Sequence, residues 1–205
     1  MHERRPLLSR KLRIAFLRAA FIPIVLSALF VWRPWEDESV MDYAVEWSGY
    51  VFLLAGMGIR VWSTLYIGAR KSKQLVTDGP YSLCRNPLYV GTILLTIGAS
   101  LCLENMLMLL VSVAVVIPAH ALVARAEERH LEDLFGDDFL TYKRTVPRFL
   151  PSFRCYRSPE SVVVSTRAVR RAVIDAAGIL LIPMAGGLIE MLHAKGLLPV
   201  LFRFP

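Results

Sequence analysis

The residues best suited to chemistry lie in two polar stretches. The first, "GPYSLCRNPLYVG" (residues 79–91), sets Tyr81, Arg85, Asn86 and Tyr89 among glycines and prolines. The second, "ARAEERHLEDLFGDDFLTYKRTVPRFLP" (residues 124–151), carries Glu127, Glu128 and Arg148. An arginine offers a fixed fork of donors for a carboxylate. Adjacent glutamates accept from hydroxyl or ammonium groups, and a histidine such as His120 exchanges a proton near neutrality. Each has a plainer explanation. Arg85 reads equally as an ordinary base at the inner end of a membrane helix. The glutamates read as an exposed pair balancing Arg125 and Arg129, and His120 as a packed, hydrogen-bonded helix residue.

These groups need elements to hold them. Gly79–Pro80 signals a turn, and Asn86 before Pro87 signals a helix start with asparagine as the cap. Downstream, Ala, Leu, Glu and Arg dominate, and nothing breaks a helix before Gly136. His120, Glu127 and Leu131 then share a face, with Glu128, Leu131 and Phe135 on its neighbour.

The chain around these stretches is written for a membrane. It has 205 residues, is 55% hydrophobic and carries a formal charge of +7. Mean hydropathy is +0.48. The bases fall between apolar runs, which points to loops facing anionic lipid and away from nucleic acid. Cys84, Cys102 and Cys155 stand apart without a CxxC pair, so no metal site or disulfide framework is expected. The first apolar run lacks a cleavage-site pattern and is expected to be retained.

A membrane helix needs about 20 apolar residues. Five runs approach this: Ile14–Trp32, Trp47–Gly68, Leu88–Leu103, Met106–Ala124 and Val173–His193. Pro183 and Gly186–Gly187 in the last invite a kink or a re-entrant shape. Arg60 lies deep in the second, where an unpaired cation costs about 2.5–3.5 kcal/mol, so it is expected to face a partner or a polar cavity. Bases crowd the N-terminal tail, the segment before the third run and the segment after the fourth. The loop after the first run is acidic. The positive-inside rule then gives an integral membrane protein, in an inner or plasma membrane, with a cytoplasmic N-terminus and an external C-terminus. The expected architecture is all-α, with about five transmembrane helices and a cytoplasmic binding region between spans 4 and 5. Residues 1–46 form the tail, first helix and acidic outer loop, 47–151 the core, and 152–205 a linker and C-terminal helix.

The two polar stretches together resemble the isoprenylcysteine carboxyl methyltransferase family and the related phospholipid methyltransferases. The likeness rests on Gly79, Pro80, Tyr81, Arg85, Pro87, Tyr89 and Gly91, then on Glu127, Glu128, Leu131, Phe135, Gly136, Tyr142, Val146, Pro147, Arg148, Leu150 and Pro151. It runs from about Arg60 to Pro151. Asn86 stands where the family has histidine, as in the phospholipid N-methyltransferases, and Phe139 stands where it has a tyrosine. Asn86 cannot titrate near neutrality, which removes a proton relay there.

The resemblance implies methyl transfer from S-adenosyl-L-methionine to a lipophilic, membrane-resident acceptor entering sideways from the inner leaflet. It implies a cofactor site of Tyr81, Arg85, Asn86, Pro87, Leu88, Tyr89, Gly91, His120, Glu127, Glu128 and Arg148, with Arg85 and Glu128 catalytic and no metal. A carboxylate or thiolate acceptor would need only orientation; an ammonium would first have to lose a proton. Two other classes stand beside it. One is an NADPH-dependent sterol-type reductase, although "VPRFLPSF" lacks the tyrosine usual in that tail. The other is a lipid- or quinone-binding scaffold without turnover.

Overall fold

In the computed structural model, residues 31–32, 39–68, 74–199 and 201–203 are described. The run Ile14–Trp32 lies almost wholly outside them, as do the N-terminal bases, the loop acids Glu36, Asp37 and Glu38, and Arg70, Lys71 and Lys73. The described chain is helical, save a two-residue parallel pairing of β1 (Val31–Trp32) with β2 (Phe202–Arg203). Helix α1 spans Val40–Ile67, α2 Pro80–Leu83, α3 Pro87–Cys102, α4 Met106–Phe135, α5 Asp137–Thr145 and α6 Thr166–Ala194, with a single 3-10 turn at Phe153–Cys155.

Three of these helices, α1, α4 and α6, are long and apolar enough to cross a membrane. Helix α3 is apolar but has only 16 residues. The observed helices outrun the apolar runs because polar residues cap and extend them. Asp42 and Glu46, expected in an outer loop, lie inside α1, whose start is capped by Ser39 Oγ accepting from the Asp42 amide at 3.1 Å. Asn105 Oδ1 caps α4 through the Met108 amide at 2.8 Å. Ser165 Oγ caps α6 through the Ala168 amide at 3.1 Å. Helix α4 continues to Phe135 and stops at Gly136, whose φ of 53° suits glycine. Helix α6 runs unbroken through Pro183 for 29 residues, about 44 Å at the helical rise.

Helices α1 and α3 pack on glycines spaced seven apart. A Cβ on Gly56 would lie 2.8 Å from the Gly91 carbonyl oxygen, and one on Gly98 would lie 2.6 Å from the Leu53 amide. In a lipid environment such close approach is a main source of helix association. Leu53, Ala99 and Met108 fill the space between α1, α3 and α4, and Ile179 and Ile182 of α6 pack against them. The chain alternates direction through α1, α3, α4 and α6. The C-terminal end of α1, the N-terminal ends of α3 and α6 and the C-terminal part of α4 therefore converge at one end of the bundle.

Candidate active site

At that end the two polar stretches are joined through the backbone. The Arg85 amide donates to the Pro147 carbonyl at 2.8 Å, and the Asn86 amide to the Arg148 carbonyl at 3.2 Å. The Ser152 amide donates to Leu83 at 2.9 Å, and the Gly79 amide to Arg157 at 2.7 Å. The Tyr142 hydroxyl donates to the Tyr81 carbonyl at 2.7 Å. Beneath them, buried Phe139, Tyr142 and Val146 pack with Leu75, Leu131 and Phe135, pinning α5 to the end of α4.

Glu128 is the centre of the polar network. Its carboxylate, only 5% exposed, accepts from Arg85 Nε at 3.1 Å, Asn86 Nδ2 at 3.0 Å and Arg148 Nη2 at 2.6 Å. Arg148 Nε adds contacts of 3.1 Å to both oxygens. The hydrogen bond to Glu128 holds the Arg148 guanidinium above its ordinary, already high range. Arg85 Nη1 also donates to the carbonyls of Lys143 and Val146 at 2.8 and 2.6 Å. The guanidinium thus closes the C-terminus of α5, where a cation is favoured. The Asn86 side chain does not cap α3, because its amide is drawn to Glu128 instead. Its backbone carbonyl still accepts from the Tyr89 and Val90 amides at 3.1 and 3.2 Å.

Above this network opens a cleft of about 700 Å³. Tyr81, Arg85, Asn86, Pro87, Leu88, Tyr89, His120, Glu127 and Glu128 line it. Gly91 and Arg148 do not. Gly91 sits in the α1–α3 crossing, and Arg148 reaches Glu128 from a second hollow on the other side. The Tyr89 hydroxyl donates to Glu127 at 2.6 Å, and its ring meets the His120 ring edge-on at 5.2 Å. A His120 ring nitrogen lies 2.8 Å from the Val116 carbonyl oxygen.

The Tyr81 hydroxyl is sealed from solvent, yet it has no hydrogen-bond partner among the described residues. Burial pushes its pKa above the ordinary phenol range, so it stays protonated. A buried polar atom without a partner is rare.

Phe139, at the family's aromatic position, also lines the cleft, which has further walls that the sequence motifs do not mark: Thr64, Gln74, Thr92 and His130, and on α6 Ser165, Arg167, Ala168, Arg171 and Asp175. Arg60 meets the expectation of a partner. It donates to Thr92 Oγ1 at 2.6 Å and pairs with Asp175 at 3.2 Å. Among the described residues, no group of three or more His, Cys, Asp or Glu side chains is arranged to hold a metal ion.

Comparison with known proteins fits this geometry. The profile of the phospholipid methyltransferase family matches residues 46–138, from α1 into the start of α5. Two partial matches are named protein-S-isoprenylcysteine O-methyltransferase. The Schizosaccharomyces pombe protein is 33% identical over 81 residues, 40% of this chain and 34% of that protein. The Mus musculus protein is 38% identical over 77 residues, 38% of this chain and 27% of that protein. The chain carries a phospholipid methyltransferase family region over residues 46–138. Over nearly its whole length it is also similar to the cobalt-zinc-cadmium resistance protein CzcN of Cupriavidus metallidurans, at 32% identity over 91% of this chain and 85% of that protein. The nickel-cobalt-cadmium resistance protein NccN of Alcaligenes xylosoxydans xylosoxydans is 31% identical over 86% of this chain and 83% of that protein. No solved structure matches the chain. The family and the three apolar helices make this a methyltransferase-family membrane protein.

Proposed function

We propose that this protein transfers the methyl group of S-adenosyl-L-methionine to a lipophilic acceptor that reaches the cleft from the membrane. The observation that carries the reading is the meeting of the two distant polar stretches around Glu128, directly under a cleft at one end of an apolar bundle. The volume lies within the range of small-molecule sites. The lining suits an amphoteric nucleoside: Glu127 to accept from ribose hydroxyls or an ammonium, and Leu88 and Leu131 as apolar wall.

When bound, the cofactor supplies an electrophilic methyl on a sulfonium whose departure leaves a neutral thioether. No strong acid is then required of the protein, and positioning with exclusion of water is its main contribution. Arg85 and Glu128 act in this reading as positioning residues. Their charges are directed at each other, at Asn86 and Arg148 and at the end of α5, so they hold the RNP loop against α4. Glu127 and Tyr89 face the ligand. Tyr89 orients Glu127, and His120 beside Tyr89 is placed to take a proton from an acceptor that carries one.

The site end of the described chain carries Arg125, Arg129, Lys143, Arg144, Arg148 and Arg157. By the positive-inside rule this end is cytoplasmic, and the end near β1 and β2 lies outside. The test is incubation of purified protein with methyl-labelled cofactor and a membrane lipid extract, followed by mass analysis. The reading predicts a methylated lipophile that is absent from a Glu127→Gln control; no labelled product from any extract fraction refutes it.

A further inference from the structure

Helix α6 begins beyond the residues that the family profile matches, yet it forms one wall of the cleft. Its small buried residues Ala168 and Ala172 let it lie close against α1. That contact turns a stripe of three residues spaced four apart, Arg167, Arg171 and Asp175, toward the cleft. Asp175 is matched by Arg60 at 3.2 Å. Arg167 and Arg171 have no ion-pair or hydrogen-bond partner among the described residues. Their neighbour Arg170 does not line the cleft and serves the ordinary role of a base beside a membrane.

The α6 wall therefore carries two guanidinium groups, and its one carboxylate, Asp175, is already matched by Arg60 of α1. The first turn of α6 contains no acid, so the positive end of the helix adds to them. Across from it, Glu128 is already matched by Arg85 and Arg148, and Glu127 accepts from the Tyr89 hydroxyl.

We infer that Arg167 and Arg171 form an anion subsite for the acceptor, which is an amphiphile bearing an oxyanion, carboxylate or phosphate, on an apolar tail. This rests on the methyltransferase reading and concerns binding alone. The cofactor occupies the α4 wall, and the acceptor's oxyanion lies across from it on α6. The tail is supplied by the bilayer, since the stripe runs directly into the apolar length of α6.

The experiment uses the full chain in neutral detergent and two fluorescent probes, a dansyl-tagged undecanoic acid and its uncharged primary amide, each corrected for protein-free micelles. The acid is expected to bind wild-type protein at least tenfold more tightly than the amide. The double variant Arg167→Gln/Arg171→Gln is expected to lose that preference, while Arg167→Lys/Arg171→Lys keeps most of it. S-adenosylhomocysteine titration is expected to be the same in all three proteins, which also shows that the exposed substitutions leave the fold intact. Inorganic phosphate at millimolar concentration should not displace the acid; displacement would mean a site for small free anions and would overturn the amphiphile. Equal binding of acid and amide to wild type, or wild-type preference in the glutamine variant, overturns the subsite but leaves the methyltransferase reading standing. Wild-type protein that fails to bind S-adenosylhomocysteine overturns both.

Discussion

Replacing Glu128 by alanine exposes the logic of the site most sharply. The carboxylate is 5% exposed and Arg85 is 9% exposed, so the substitution strands a buried guanidinium. Arg85 would keep its bonds to Lys143 and Val146 but lose its counter-charge, and Asn86 would lose its 3.0 Å acceptor. Breaking one side of a buried pair costs about 3–5 kcal/mol. For a chain of this size that corresponds to a fall in Tm on the order of 10 °C. Glu128→Gln keeps an acceptor and should fall by roughly half as much, since only the charged part of the bonds is lost. Arg148→Ala should cost about 1–2 kcal/mol, because that guanidinium is 33% exposed and water replaces part of the loss. The assay is a thermal melt of the detergent-solubilised protein followed with a thiol-reactive dye. Cys84 sits in the loop that Glu128 holds, so release of the loop is read directly. A Glu128→Ala protein melting within about 2 °C of wild type would refute the keystone role argued for this carboxylate.

Three further outcomes are expected. Glu127→Gln and Tyr89→Phe should each weaken S-adenosylhomocysteine binding about tenfold or more with a smaller change in Tm than Glu128→Ala, because this pair faces the cleft; a large Tm loss without an affinity loss would reverse that assignment. Burial pushes the Cys84 thiol up to about 11, against a smaller opposing effect of its backbone hydrogen bond with Asn86, so it should resist maleimide in native protein at pH 8 and react on unfolding; rapid native labelling would contradict the packed loop. Gly56→Leu should abolish monodisperse purification, since its side chain would enter the Gly91 and Leu95 backbone, whereas Gly58→Leu, with open space around it, should be tolerated; equal behaviour of the two would argue against the glycine crossing.

Much of this architecture was legible in the residues. The helix stop at Gly136 and the start at Pro87 follow from local chemistry, and both occur. The boundaries at Val40 and Thr166 were hidden because hydropathy marks where a helix meets lipid, while capping side chains such as Ser39 and Ser165 mark where it begins. Asn86 has capping chemistry, but a carboxylate 42 positions away competes for its amide more strongly than the local backbone does. Glu127 and Glu128 are adjacent in sequence, and periodicity alone did not separate them; the fold buries one in a network and turns the other to the cleft. The α6 wall was the least legible. Its signal is an acid, Asp175, inside an apolar run, matching Arg60 inside another, and that pair sets α6 beside α1.

The central claim is that the cleft over the Glu128 network holds a sulfonium nucleotide. Calorimetric titration of the purified full chain with S-adenosylhomocysteine, beside a parallel titration with NADPH, tests it most directly. The account predicts saturable one-site binding of S-adenosylhomocysteine, weakened at least tenfold by Glu127→Gln, and no heat of binding from NADPH. Saturation by NADPH alone, or by neither ligand, would contradict it.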